Sequence, residues 1–508
     1  MSQLAGVSDM PRYSNSGVGK DAVLNDFPLL SSGQPIGMTD VVKSAGKVVA
    51  NFMSGKWTVT GGAPTITYQG GYDNATGLPN GMYSRTGQPE IMKYVPASNT
   101  GEEIRLAAAN ILTPMLAGKL GIWVYVENQP GYQPSGTLAG KIDITLTTNA
   151  SASTGNGLYL SYNVNQVREG WNFLKFVQRN PAAYVTGSGV TEYHPLAVAV
   201  TSFGTGADTN IKDNQIYALR INVAGMLGAT LYFDSMWTGW DVTPQICLGL
   251  DAAGNDFINY ALPIFDAYSW LGYVAIPTRV WTGGSKIVSD FNIPQANAKI
   301  AYDKGWDMIN HTTNHLPGTL LTPKMSELTS ASEIAYEITG VAAQYVGNGL
   351  TRGNEFYASP QSSTSRLCEA VIKSLGIKLQ RNSRKANTSI TPWGLDNPHH
   401  IGSSDMGAMS SPAISYITGG AQGIVNGWQQ ASKINRMVDV TIDYQDAWFP
   451  FWHNITTLGD PGTGEGTTGD SLLMFKSNFD AVMAYIRSKE LNGNLKVTKG
   501  LSGFYYGS

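Results

Sequence analysis

Two histidines four residues apart, His311 and His315 in the stretch NHTTNHLPGTL, stand in a chain that has six histidines among 508 residues. Two imidazoles with an oxygen ligand and open water positions make a catalytic Zn²⁺ or related divalent site. The H-x3-H spacing alone equally fits two polar loop residues. In a loop, the two rings can face one ion only if the chain between them curls back. The side chains of Thr312, Thr313 and Asn314 can hold such a turn through hydrogen bonds to the backbone. Other polar residues fall just past an apolar run in the same way. Asp251 ends ICLGL, Pro360 and Gln361 follow NEFY, and His453 follows DAWFPFW.

Those runs belong to a grammar that begins after TGWDVTP, at about residue 244. Strand-like runs (ICLGL, GYVAIPT, WDMIN, NEFYASP, GIKLQ, MVDVTIDY, LKVTKG) alternate with helix-like ones (FINYALPIFDAYSWLG, STSRLCEAVIKSLG, SLLMFKSNFDAVMAYIRSKE). A further helix is read from Leu328, Ala331, Ile334, Ile338, Val341 and Tyr345, one apolar face, with Ser330 and Glu333 as a capping box at its start. Repeated β-α units predict a parallel sheet closed or nearly closed as a (β/α) barrel. Such a barrel carries its chemistry at the carboxyl ends of the strands, where all the nominated residues would converge. Residues 241–508 are expected to form this domain.

The preceding stretch, 46–240, alternates apolar and polar residues in short runs such as KIDITLTT, GLYLSYNV and QIYALRINV, separated by Gly, Asn, Pro and Ser. This predicts an all-β sandwich, jelly-roll-like, with a carbohydrate-binding or structural role. Residues 1–45 are polar and aperiodic and read as a head or anchoring segment.

Composition narrows the partners. A net charge of −3, from 34 Lys and Arg against 37 Asp and Glu, leaves no electrostatic footprint for nucleic acid or an anionic membrane, and no run of about 20 apolar residues could span a bilayer. Charged residues are 14% of the chain, while Gly reaches 58 and Tyr 25. That balance suits neutral sugars. Cys247 and Cys368 sit in apolar runs and read as small buried side chains rather than a disulfide.

From Asp251 onward the motifs resemble the polysaccharide deacetylases of the NodB-homology type, carbohydrate esterase family four. GLDAAGNDFINYALPIF lies without a gap on the family's opening T-F-D-D-G and the A-L-P-I of its next helix. NHTTNHLP is similar to its histidine motif, and the stretch Tyr357 to Ser362 to its F-A-Y-P-Y-G. FPFWHNI, before a final helix and strand, is similar to its last motif. The resemblance covers about residues 243–500. It implies metal-assisted hydrolysis of an acetyl group on a glycan. His311 and His315 would hold a divalent metal, Zn²⁺ by expectation. Asp251 would be the base, His453 the acid, and Pro360 with the backbone N–H of Gln361 would serve the oxyanion. The family's second aspartate, a usual ligand, falls on Ala252. Asp256 could replace it, or Asp251 could itself be the ligand and leave the base role empty.

A glycan-modifying domain behind a β domain and a polar head, with no export signal at the start of the sequence, is similar to phage tail spikes or fibres. That resemblance implies a bacterial surface polysaccharide (capsule or O-antigen) as partner, contacts to other virion tail proteins through residues 1–45, and a homo-oligomer, by analogy a trimer. It places the chain on a virion tail outside the cell. The alternatives are a catalytically inactive glycan-binding receptor-recognition protein and a cytoplasmic deacetylase of a small amide. His194 and the His399-His400 pair read as non-catalytic, and Trp237 and Trp240 as packing residues before sugar platforms.

Overall fold

The computed structural model describes residues 42–44, 46–70, 88–107, 110–112, 119–128, 141–147, 157–163, 170–177, 185–186, 190–191, 199–200, 218–251, 254, 256–282, 293–316, 323–360, 363–382, 390–391, 394–395, 401–406, 430–466 and 472–507. Residues 1–41 of the expected head, Ala252, Gln361, His194, His399 and His400 lie outside them. The chain divides into two compact units, one holding Ser44–Thr191 and Val198–Asp241, the other Val242–Ser508.

The first unit contains two antiparallel six-stranded sheets. One runs Gly170–Val177, Lys119–Glu127, Thr230–Thr238, Glu90–Val95, Thr65–Gly70, with Lys47–Asn51 also on Thr230–Thr238. The other runs Ala199–Val200, Gly157–Asn163, Lys141–Thr147, Ala218–Ala224, Glu102–Ala107, Trp57–Gly61. Period-two alternation sends Ile122, Val124 and Val126 of the first sheet and Ile142, Ile144, Leu219 and Ile221 of the second into one apolar cluster. The alternate positions of the first sheet are aromatic and also buried. Trp123 meets Trp171 edge-on at 5.9 Å, and Phe173 meets Trp240 at 5.5 Å. Trp240 is therefore a packing residue, and the Trp237 indole N–H donates to Ser235 Oγ at 2.7 Å.

The second unit is built on an eight-stranded sheet in the order Ile401–Gly402, Leu379–Asn382, Phe356–Ala358, Asp307–Asn310, Tyr273–Ile276, Gly249–Asp251, Pro450–Trp452, Ser404–Asp405. Every pairing is parallel. Its first and last strands are two halves of one segment joined at Ser403, which pairs with Arg381 and Asn382 on one side and with Pro450 and Phe451 on the other. The row of strands thus returns on itself. The strand cores are fully buried, as parallel strands covered on both faces must be. Gly249 is required here, because a Cβ on it would lie 2.0 Å from the Tyr273 ring.

The helix-like runs form Leu262–Tyr268, Arg366–Ser374 and Lys476–Leu491. The apolar stripe read from Ile334 to Tyr345 forms the helix Ala331–Gly347, started by the Ser330 hydroxyl accepting from the Glu333 N–H. One expectation fails. MVDVTIDY, read as a strand, lies in the helix Ala431–Tyr444. Its Val-x-Val-x-Ile pattern imitates period two, but Ile434, Met437, Val438 and Thr441 are buried at i, i+3, i+4 and i+7, and that helical face packs in the core. Both cysteines are buried and free. Among the described residues no helix is long and apolar enough to cross a membrane.

Candidate active site

Each nominated residue within the described set lies at the carboxyl end of a parallel strand. Asp251 closes Gly249–Asp251, His311 follows Asp307–Asn310, Pro360 lies two residues after Phe356–Ala358, and His453 follows Pro450–Trp452. Asp251 and His311 are buried, and His453 is partly exposed. Asp251 interacts electrostatically with both His311 and His453, and His315 with both Asp251 and His453, so the structure brings these four side chains together. Asp256 is turned to another use. Its carboxylate accepts the backbone N–H of Ile455, and burial pushes its pKa up to about 6.

The histidine turn has a distinctive backbone. Thr312 has φ 65° and His315 φ 46°, in the left-handed region that costs a β-branched threonine about 1–3 kcal/mol. Local hydrogen bonds offset this strain. The Thr312 N–H donates to Asn310 Oδ1 at 3.0 Å, and the His315 N–H to Thr312 Oγ1 at 2.9 Å. The result is that the His311 and His315 rings meet edge-on with centroids 4.8 Å apart.

Both rings suit a metal. His311 Nδ1 lies 2.8 Å from the Ala358 carbonyl, which can only accept, so Nδ1 carries the proton and Nε2 presents its lone pair. His315 Nδ1 is buried with no hydrogen-bond partner beyond its own backbone. Burial lowers the His311 pKa to about 3 and that of His315 to about 4, so both are neutral near pH 7, as ligands must be. The pair fits a divalent ion as two nitrogen donors. Among the described residues no third His, Cys, Asp or Glu joins them in a ligand group.

Asp251 is held by a residue that the sequence did not nominate. Arg381, on Leu379–Asn382, donates from Nη2 to Asp251 Oδ1 and from Nη1 to Ser403 Oγ at 3.1 Å. Its guanidinium lies 4.1 Å from the Phe451 ring centroid and 5.5 Å from that of Tyr273. Burial alone would raise the Asp251 carboxyl. The charge and hydrogen bond of Arg381, with His311 and His453 adding, hold it below the usual carboxylate range instead. An ionised carboxylate, two neutral imidazoles and a partly exposed third can take up, aim and return protons around a carbonyl bound between them. Ser359 Oγ donates to the Ser363 carbonyl at 2.6 Å and the Ser363 N–H to the Pro360 carbonyl at 2.9 Å, which tie Ser363 back to the end of its strand.

No family model and no curated protein matches the chain. Solved structures similar to part of it include a deacetylase of Streptococcus pyogenes in complex with acetate (17% identity over 34% of this chain and 69% of the other, TM-score 0.26). Another is a family 4 carbohydrate esterase of Streptomyces lividans in complex with acetate (10%, 50% and 92%, TM-score 0.29). A third is a carbohydrate esterase family four pseudoenzyme from Bacillus anthracis (12%, 52% and 66%, TM-score 0.31).

Proposed function

We propose that the chain is a metal-dependent hydrolase that removes acetyl groups from a bacterial surface polysaccharide, carried on a phage tail spike. The observation that supports the chemistry is the grouping of Asp251, kept ionised by Arg381, with two neutral imidazoles and His453 at one end of the parallel strands. His311 and His315 hold the divalent ion, zinc by expectation, which when bound supplies Lewis-acid polarisation of the acetyl carbonyl. Asp251 takes the proton of the attacking water, and Arg381 fixes the carboxylate so that it is charged when the water arrives. His453, the more exposed imidazole, gives a proton to the leaving amine or alkoxide. The backbone N–H of Gln361, after Pro360, donates to the oxyanion. The tail-spike assignment rests on the polar head, the β-rich unit and the weakly charged, tyrosine-rich composition, and brings with it a homo-oligomer and an extracellular virion location.

A second reading, a glycan-binding receptor protein without turnover, is favoured by two observations. Asp251 is already paired with Arg381, and no third ligand joins the two imidazoles among the described residues. Acetate release from acetylated capsule and lipopolysaccharide at saturating zinc, with bound metal measured in the parent, His311→Ala and His315→Ala, decides between them. The hydrolase reading expects acetate from the parent and loss of both metal and acetate in each variant. Glycan binding without acetate release would establish the second reading.

A further inference from the structure

We infer that Glu337 and Gly340, on the helix Ala331–Gly347, are positioning residues that hold the His311–His315 turn in the backbone its two imidazoles need. The inference rests on the reading of these histidines as a metal pair. Glu337 is a buried carboxylate on the apolar face of its helix, between Ile334 and Ile338. Both of its oxygens point at the turn. Oε2 accepts the Asn314 backbone N–H at 2.8 Å, and Oε1 accepts from Asn314 Nδ2 at 2.6 Å. The backbone of the same helical turn joins in. The Glu337 carbonyl accepts the Thr313 N–H at 2.8 Å and the Thr313 hydroxyl at 3.2 Å, and the Ile338 carbonyl accepts Asn310 Nδ2 at 2.8 Å. Two consecutive turn residues, Thr313 and Asn314, and the strand end before them are thereby tied to one helical turn.

Gly340 makes the approach possible. A Cβ there would lie 2.3 Å from Thr313 Oγ1, so any larger residue must displace the threonine hydroxyl from the Glu337 carbonyl. The His315 N–H is bonded only within the turn, to Thr312 Oγ1, so the second imidazole inherits its aim from the segment that Glu337 grips. A carboxylate is the fitting group, because Asn314 offers two donors and both need acceptors. Glutamine offers one acceptor and turns an NH₂ toward the other donor.

The test uses the full chain. Glu337→Gln should weaken zinc binding about 10–100-fold, the usual cost of losing a group that aims a ligand, measured by chelator competition. It should also speed amide hydrogen exchange at Asn314 and His315 at least about tenfold, the sign of a released turn. Gly340→Ala should weaken zinc severalfold with the melting temperature little changed, since alanine's preference for a helix interior over glycine offsets the displaced threonine hydrogen bond. A merely structural role would move stability and affinity the same way. Zinc affinity within twofold of the parent in both variants overturns the inference, as does unchanged exchange at Asn314 and His315 in Glu337→Gln. If the parent takes up no zinc, the metal reading fails and the exchange arm alone decides whether Glu337 holds the turn.

Discussion

Arg381 offers the sharpest test of how the site is held. In Arg381→Met the side chain keeps much of its bulk against Phe451 and Tyr273 but loses its charge. The pair is deeply buried, with side chains 1% and 7% exposed, so Asp251 is left as a carboxylate without a counter-charge. Breaking a buried pair in this way costs about 3–5 kcal/mol. For a unit of this size that lowers Tm by about 10 °C. The pH dependence identifies the cause. In the parent the Asp251 pKa is depressed, so its contribution to stability is present above the unfolded carboxylate value near 4 and is lost as pH falls through the folded one. In the variant burial prevails and the folded pKa rises above the unfolded value, so the stability deficit should already be present at about pH 4, where the parent's Asp251 is ionised, grow further as pH rises, and level off once the buried carboxyl is forced to ionise. Calorimetric unfolding of parent and variant from pH 4 to 8 measures this directly. The Arg381→Met, Asp251→Asn double variant should recover most of the loss, because it removes the orphaned charge. A deficit independent of pH, or no recovery in the double variant, refutes the assignment of Arg381 as the group that keeps Asp251 ionised.

Two more expectations follow from the same geometry. His453→Gln should lower kcat by about 10²–10⁴ while leaving bound zinc unchanged, so loss of zinc in this variant would make His453 a ligand rather than the acid. Zinc affinity should change little between pH 7.5 and 5.5, because protons compete with His311 and His315 only near about pH 3 and 4, whereas two ordinary imidazoles would lose about a hundredfold over that range. A loss of that size, read by chelator competition at the two pH values, would show that the rings titrate normally.

The positions that sequence reading reached are those whose type is unusual for where they stand: a carboxylate or an imidazole at the end of an apolar run. Asp251, His311 and His453 are legible for that reason, since the β-α alternation fixes which end of each strand faces the site. Arg381 was missed because Lys378, Gln380 and Arg381 together look like the polar margin of a strand. The available signal was parity: Arg381 lies two residues after the buried Leu379 and shares its face, so it too must point into a closed interior. What it meets there depends on a pairing 130 residues away in the chain, which periodicity does not encode. Glu337 carried a similar signal as an acid inside the stripe Ile334, Ile338, Val341. The segment Ile401–Asp405, which closes the sheet by pairing on both sides, was not read at all, because two-residue strands leave no periodic trace.

The balance of charge around the two histidines sets how firmly an ion can be held. Asp251 and Arg381 neutralise one another, and both imidazoles are neutral near pH 7, so a divalent ion brings two positive charges to a site whose described residues offer it no unpaired carboxylate in a ligand group. Where the resembled family has a second aspartate this chain has Ala252. One unit charge about 4 Å away is worth about 4 kcal/mol at the effective dielectric of a partly wet site, so the missing charge outweighs small differences in geometry. An anion from solution can supply it. Acetate, the product of the proposed reaction, should then raise zinc affinity, and zinc should raise acetate affinity by the same factor, within the usual coupling range of about 5–150-fold. Ala252→Asp builds the charge into the chain, so it should tighten zinc without acetate and shrink the acetate effect. Zinc titrations of the parent and Ala252→Asp, each with and without acetate, test both halves. If acetate leaves the parent unchanged and Ala252→Asp binds zinc no more tightly, affinity is set by ligand geometry and not by charge, and the argument from the Asp251–Arg381 pair fails with it.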